Sequence, residues 1–339
     1  MSIPVQNLYY LLTYAWDRRL NHGGIQGLDV TACPDLNTLF ARVLSHGVRQ
    51  LLRRGMDRSY ILHEELTSRI RGRIDFPRSA RRQTWESGKM ECAYDELSHD
   101  VLQNRILKSA LLILHRDPVL AKDARLEISS LLPSFEEVAS ITLHSSSFRR
   151  IQLHGNNRTY RFLLQLCELI HRSYLPDRSR PGHHHFRDIL NDERTMAAIF
   201  EKFVRYFAIR HLAGARVSAM QIDWDAAGDS LPMMKTDVTI EWPDRKIILD
   251  CKYYRDALTG QFSAQGFRSG HLYQLHAYLT NQAVVSGWES VEGILLYPTN
   301  GFHLDSSFTL RGRHRVRIVT LDLNQAWEKI HEDLLAILR

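Results

Sequence analysis

At 339 residues the chain is too long for one small hydrophobic core, so two domains are expected. Its 44% hydrophobic and 24% charged residues read as an ordinary soluble globular protein, and no apolar run approaches the roughly 20 residues that span a bilayer. The net charge of +6 fits a polyanionic partner without requiring one. The opening segment lacks the basic n-region of a signal peptide. Four cysteines, Cys33, Cys92, Cys167 and Cys251, form no CxxC pair, which argues against a zinc site or disulfide framework and fits a reducing cytoplasm.

In chain order, Leu8, Leu11, Leu12, Ala15 and Trp16 have the spacing of an amphipathic helix over 6–20. A second helix is expected over 36–54, stopped by Arg53-Arg54-Gly55. There follows "HEELTSRIRGRIDFPRSARRQ", in which Arg69, Arg71 and Arg73 alternate with Ile70 and Ile74 around Gly72. This reads as a strand or exposed hairpin with one basic and one apolar face, or as an edge strand blunted by charge. Helices are expected over 96–115, 117–131, 160–174 and 194–211, with "LPDRSRPGHHHF" as a connector. From 215 the pattern changes: strands over 215–224, 235–242 and 246–254, a helix over 267–282, strands over 291–298 and 314–321, and a helix over 323–338. The expected division is therefore a mostly helical, arginine-bearing part (1–165) and an α/β part (166–339).

The chemistry concentrates in "LPMMKTDVTIEWPDRKIILDCKYY", residues 231–254. A strand has a side-chain period of two, so Asp250 and Lys252 share a face. If Trp242 to Arg245 form a four-residue turn, Asp237 lies across from Asp250. Two adjacent carboxylates repel and call for a cation. Mg²⁺ commonly takes one or two carboxylates together with substrate phosphate and water. A lysine beside them can orient or help deprotonate water, or stabilise phosphate charge. The set suits phosphodiester hydrolysis. The plain alternative is a solvent-facing hairpin with a cross-strand salt bridge, which is common and contributes little.

The arrangement resembles the PD-(D/E)xK (restriction-endonuclease-like) nuclease superfamily, with Thr236-Asp237 and Asp250-Cys251-Lys252 as its signature. That resemblance implies a mixed sheet flanked by helices, a helix ahead of it offering Glu201 as a further metal ligand, and a later helix carrying Gln274 and Tyr278 in "YQLHAY". More specifically, "IPVQNLYYLLTYAW", "IRGRIDF", "YDELSHDVLQNRILKS", "TDVTI", "IILDCKYY", "HLYQLHAY" and "LDLNQAWEKIHEDLLAIL" occur in the order seen in the McrC family, the nuclease subunits of McrBC modification-dependent restriction systems.

The resemblance implies an α/β endonuclease domain over 166–339, with a mostly helical, partner-coupling domain bearing a β-hairpin-like insertion over 1–165. Asp237 and Asp250 would hold Mg²⁺, joined by the Cys251 backbone carbonyl and by Glu201. Lys252 would position the attacking water, and Gln274 would orient Lys252 or a phosphate. The implied partner is an AAA+ GTPase ring that binds the GTP and reads modified cytosine in double-stranded DNA. This agrees with the lack of a GxxxxGK[ST] loop here. Arg69, Arg71 and Arg73 would couple to the ring. Arg311, Arg313, Arg315 and Arg317 in "RGRHRVRI" are candidates for tracking a DNA backbone, or form a solvated face. The alternatives are a catalytically silent GTPase-activating subunit and a free-standing metal-dependent DNase.

Overall fold

The computed structural model describes residues 3–16, 33–153, 158–176, 184–186, 189–226, 230–254, 269–285, 287–288, 291–299, 303–310 and 313–339. The chain forms two compact units, residues 1–39 with 186–339, and residues 40–185. This division differs from the one expected at 165/166. Much of the expected connector, and Arg311, lie outside the described residues.

Helix α1 (Val5–Trp16) belongs to the unit of residues 1–39 with 186–339, and the 40–185 unit begins within the next helix. Helix α2 (Leu36–Arg54) leads into β1 (Ser59–Thr67), β2 (Arg73–Ile74), α3 (Phe76–Arg81) and β3 (Met90–Ser98). Then come α4 (Leu102–His115), α5 (Lys122–Leu131), α6 (Ser145–Arg149), α7 (Arg158–Ser173), β4 (Tyr174–Pro176) and β5 (His184–Phe186). Leu44, Val48, Leu107, Leu111, Ile128, Leu163 and Ile170 are buried, at the helical spacing that sequence periodicity predicts. A polar cluster ties the loop before β1 to the helices. Asn104 donates to the carbonyls of Asp57 (3.0 Å) and His99 (2.7 Å), and receives a 2.6 Å bond from the Tyr160 hydroxyl.

Strands β1, β3 and β2 form an antiparallel sheet in that order. The expected helix over 96–115 begins only at Leu102, because residues 96–98 complete β3. The chain returns to β3 through Gly72, whose φ is +59° and whose Cβ, if it had one, would lie 2.4 Å from the Ala93 carbonyl oxygen. Only glycine fits there. Ile70 is 64% exposed, so the apolar face expected for this segment is not buried at that position.

In the other unit, α8 (Glu193–His211) precedes β6 (Arg216–Ser218), β7 (Gln221–Ile222), β8 (Met234–Lys235), β9 (Val238–Glu241) and β10 (Lys246–Cys251). Helix α9 (Ser269–Gln282), β11 (Val291–Thr299), β12 (Asp305–Leu310), β13 (His314–Asp322) and α10 (Trp327–Leu338) follow. The six-stranded sheet runs β12-β13-β11-β10-β9-β6. It is mixed: β10, β11 and β13 are parallel, and the outer pairings are antiparallel. Helices flank it. Every residue of the central strand β11 is buried, as its near-continuous apolar sequence requires. Leu275, Tyr278 and Leu279 of α9 pack with Ile248, Leu295, Val316 and Ile318. Gly293 permits this approach, since a Cβ would meet Leu279 Cδ1 at 2.9 Å.

Helix α1 is buried almost all round and packs on α8. Asn7 donates to the carbonyls of Leu323 (2.9 Å) and Gln325 (2.8 Å), fixing the loop ahead of α10. Tyr10 stacks on Trp327 at 4.4 Å, and the Tyr14 hydroxyl lies 2.8 Å from His211 Nε2.

Candidate active site

The antiparallel register of β9 and β10 pairs Leu249 with Val238 and Lys246 with Glu241, closed by a turn in which the Trp242 N–H donates to the Arg245 carbonyl at 2.8 Å. One step beyond the last pair, Asp250 falls opposite Asp237, the register expected from the four-residue turn. Thr236 secures the approach: its N–H donates to the Met220 carbonyl (2.9 Å), and its hydroxyl accepts from the Met220 N–H (2.9 Å). The Cys251 N–H then donates to Asp237 Oδ2 at 2.7 Å. A strand residue projects its N–H and C=O to the same edge. The Cys251 carbonyl therefore emerges on the Asp237 side, past the end of the ladder.

Asp250 is 1% exposed, and its Oδ2 lies 2.8 Å from Lys252 Nζ. Lys252 Nζ also donates to Gln274 Oε1 at 2.8 Å. Gln274 Nε2 donates to the Tyr278 hydroxyl (2.7 Å), which donates to the Lys235 carbonyl (3.0 Å). The Gln274/Tyr278 pair on one face of α9 thus links Lys252 to the strand leading into Asp237. Further along, Tyr254 stacks on His271, whose Nε2 is 2.8 Å from the Tyr254 hydroxyl and whose Nδ1 is 2.8 Å from the Tyr297 hydroxyl.

Burial, then the charges of Asp250 and Glu201, push the Asp237 carboxyl up to about 7. Burial also raises Asp250, against the pull of Lys252. Burial alone would lower Lys252, but the Asp250 charge and hydrogen bond outweigh it and hold the ammonium above the usual lysine value. A cationic lysine donates hydrogen bonds and stabilises negative charge.

Two buried, mutually repelling carboxylates beside an outward carbonyl are hard oxygen donors, the kind Mg²⁺ binds. Among the described residues, no group of three or more His, Cys, Asp or Glu side chains is arranged to hold a metal. Glu201 is ion-paired with Arg205 one turn along α8, and Arg205 Nε donates to the Asp237 carbonyl oxygen at 2.7 Å. Asp237 and Asp250 thus present two carboxylates to one patch, with Glu201 near enough for its charge to act on both while paired to Arg205. Sequence reasoning missed Arg205: its i,i+4 spacing from Glu201 marks only an ion pair, and its decisive acceptor is the main-chain carbonyl of Asp237.

The arginine row is not brought to this site. Arg317 pairs in the sheet with Ile294, which is level with Leu249, and Arg315 and Arg313 lie further from Asp250 along the strand direction. Arg317 donates to Asp305 (3.1 Å) and the Ile337 carbonyl (3.2 Å), while Arg313 and Arg315 are exposed. In the 40–185 unit, Arg69, Arg71 and Arg73 are all exposed, with the Arg71 guanidinium 5.8 Å from the Tyr94 ring centroid. All four cysteines are buried and none forms a disulfide. Among the described residues, no helix is long and apolar enough to cross a membrane.

The family model described as McrBC 5-methylcytosine restriction system component matches residues 5–298. A type IV methyl-directed restriction enzyme, EcoKMcrBC of Escherichia coli strain K12, is 33% identical over 350 residues, spanning 99% of this chain and 97% of the relative. A solved half-complex from a tetradecameric assembly of Thermococcus gammatolerans McrB AAA+ hexamers with bound McrC superposes with a TM-score of 0.60. That match covers 99% of this chain and 75% of the other at 18% identity, and it shows a shared fold. The chain therefore belongs to the family of McrBC 5-methylcytosine restriction system components.

Proposed function

We propose that this chain is the Mg²⁺-dependent DNA endonuclease subunit of a methylcytosine-dependent restriction complex, built on a PD-(D/E)xK core in the unit that carries β9 and β10. The observation that carries the reading is the convergence of Asp237, Asp250 and Lys252 at the end of the β9–β10 pair, with Gln274 of α9 bonded to Lys252. Asp237, Asp250 and the Cys251 carbonyl would hold Mg²⁺, which when bound supplies Lewis-acid activation of water and phosphate. Lys252, fixed by Asp250 and Gln274, directs an N–H donor at the attacking water or a phosphate oxygen. Gln274 keeps that ammonium aimed by accepting from it. Arg313 and Arg315 meet the DNA backbone away from the cut, adding salt-dependent, sequence-blind affinity; Arg317 is held by Asp305 and the Ile337 carbonyl instead.

The partner we propose is an AAA+ GTPase ring resembling the McrB hexamers in the related solved complex. The coupling element is the β1–β3–β2 sheet. Tyr60, Leu62 and Leu97 are exposed on one face of it, Arg69, Ile70 and Arg71 are exposed in the connection from β1 to β2, and Arg73 is exposed on β2; exposed large apolar side chains mark a protein-binding surface. Stimulation of GTP hydrolysis in the ring belongs to this element, and cleavage to the aspartates. The cytoplasm is the proposed location.

The test is cleavage of methylated plasmid with Mg²⁺, GTP and the cognate ring, with GTP turnover followed in the same reaction. Wild type should cut and stimulate, and Asp250→Asn should stimulate without cutting. If neither protein cuts yet both stimulate, the chain is a GTPase activator in a nuclease fold. If Asp250→Asn loses both activities, Asp250 is structural.

A further inference from the structure

Arg205 occupies a position that the two-carboxylate reading does not require. It lies on α8 with its side chain only 15% exposed, and its guanidinium does two things at once. Nε donates to the backbone carbonyl of Asp237, and an Nη pairs with Glu201. Glu201 is near enough to raise the proton affinity of both aspartates, yet among the described residues no third carboxylate joins them in a metal-binding group. A side chain bonded both to the main chain of a ligand and to the nearest spare carboxylate controls two variables, where Asp237 sits and whether Glu201 can reach the ion.

We propose that Arg205 is a positioning residue that anchors Asp237 through its main chain and retains Glu201 outside the ligand set. The inference rests on the metal reading of Asp237 and Asp250. Without Arg205, the pocket gains one net negative charge and releases a carboxylate onto the cation. The ion is then held more tightly, but in the wrong company, with Glu201 taking a position that water needs and Asp237 set adrift. Tighter metal with slower cutting is the opposite of what a merely structural loss produces, since a loosened site weakens both.

The experiment measures Mn²⁺ binding to the intact chain by loss of the free-ion paramagnetic resonance signal, alongside plasmid cleavage with the ring partner. Arg205→Ala should bind Mn²⁺ roughly three- to tenfold more tightly, as one added charge near a partly buried ion would produce, and should cut at least about tenfold more slowly. Arg205→Ala combined with Glu201→Gln should return Mn²⁺ affinity to near wild type while cleavage stays slow. Arg205→Lys retains the charge and tests geometry should the alanine variant fold poorly: affinity should stay within about twofold, with cleavage reduced. Weaker or unchanged Mn²⁺ binding in folded Arg205→Ala, or no return in the double variant, overturns the proposal. Asp250→Asn separates the two levels. If it binds Mn²⁺ as wild type does, the metal reading itself falls and this inference with it; if it does not bind, the Arg205 comparison stands on its own.

Discussion

Burial and the neighbouring charges of Asp250 and Glu201 place the Asp237 carboxyl near 7, well above its value in an unfolded chain, and this has a sign for stability. A raised carboxyl favours the folded state while it is protonated. That contribution is complete below about pH 4 and is lost as pH rises through about 7. In chelator, Asp237→Asn should therefore melt above wild type at pH 8, and the gap should close toward pH 4. A gap of the opposite sign would mean that Asp237 is not strained in the metal-free fold. Gln274 is the other residue whose role separates from stability. Gln274→Leu removes the acceptor for Lys252 and the donor to Tyr278, so cleavage should fall roughly ten- to hundredfold while stability changes by about 1 kcal/mol. Equal losses in both would make Gln274 a packing residue. The Asp250/Lys252 pair and the Asp237 register were readable because strand period and turn length are simple integers. Arg205 was not, because its key acceptor is a backbone carbonyl that no residue pattern reveals.

Among the elements, the β1–β3–β2 sheet was the least legible. β1 has no buried residue: its face of Tyr60, Leu62, Glu64 and Leu66 is exposed and Ile61, His63 and Thr67 on the other are half-buried, and its sequence SYILHEELT lacks the regular polar–apolar alternation that identifies a half-buried strand. Residues 90–98 contain Glu, Asp and Leu, which blend into the genuine helix α4 and extended that expectation to residue 96. By contrast α8 was legible almost to the residue, since Met196, Ile199, Phe200, Phe203 and Phe207 mark one buried face and Asp192 caps it through the Thr195 N–H. The exposed sheet leads to its own expectation. Arg71→Glu with Arg73→Glu should lower GTPase stimulation at least about tenfold by like-charge repulsion or lost pairing, with the melting temperature unchanged because both side chains are exposed. Unaltered stimulation would remove these arginines from the coupling element.

At the scale of the molecule, the opening motif "IPVQNLYYLLTYAW" belongs to the unit holding the aspartates, although 165 was the expected boundary. Asn7 bonds a carbonyl 316 residues away, a pairing that composition and local periodicity cannot encode. Truncation tests this directly. A fragment of residues 186–339 lacking 1–39 should be poorly folded, because α8 and α10 lose the partners of Phe203 and Trp327, and a peptide spanning 3–16 should restore it in trans. A stable fragment without that peptide would show that α1 is dispensable. The α/β class, the order of strands and helices from residue 215 onward apart from β12, and the family were legible, since each rests on local patterns; the assembly of distant segments was not. The central claim, that Asp237 and Asp250 form a cation site, is tested most directly by anomalous diffraction from crystals of the intact chain soaked in Mn²⁺. The account predicts a single strong peak between these two carboxylates, beside the Cys251 carbonyl, that is absent in Asp250→Asn; no peak there, or one that survives the substitution, would contradict it.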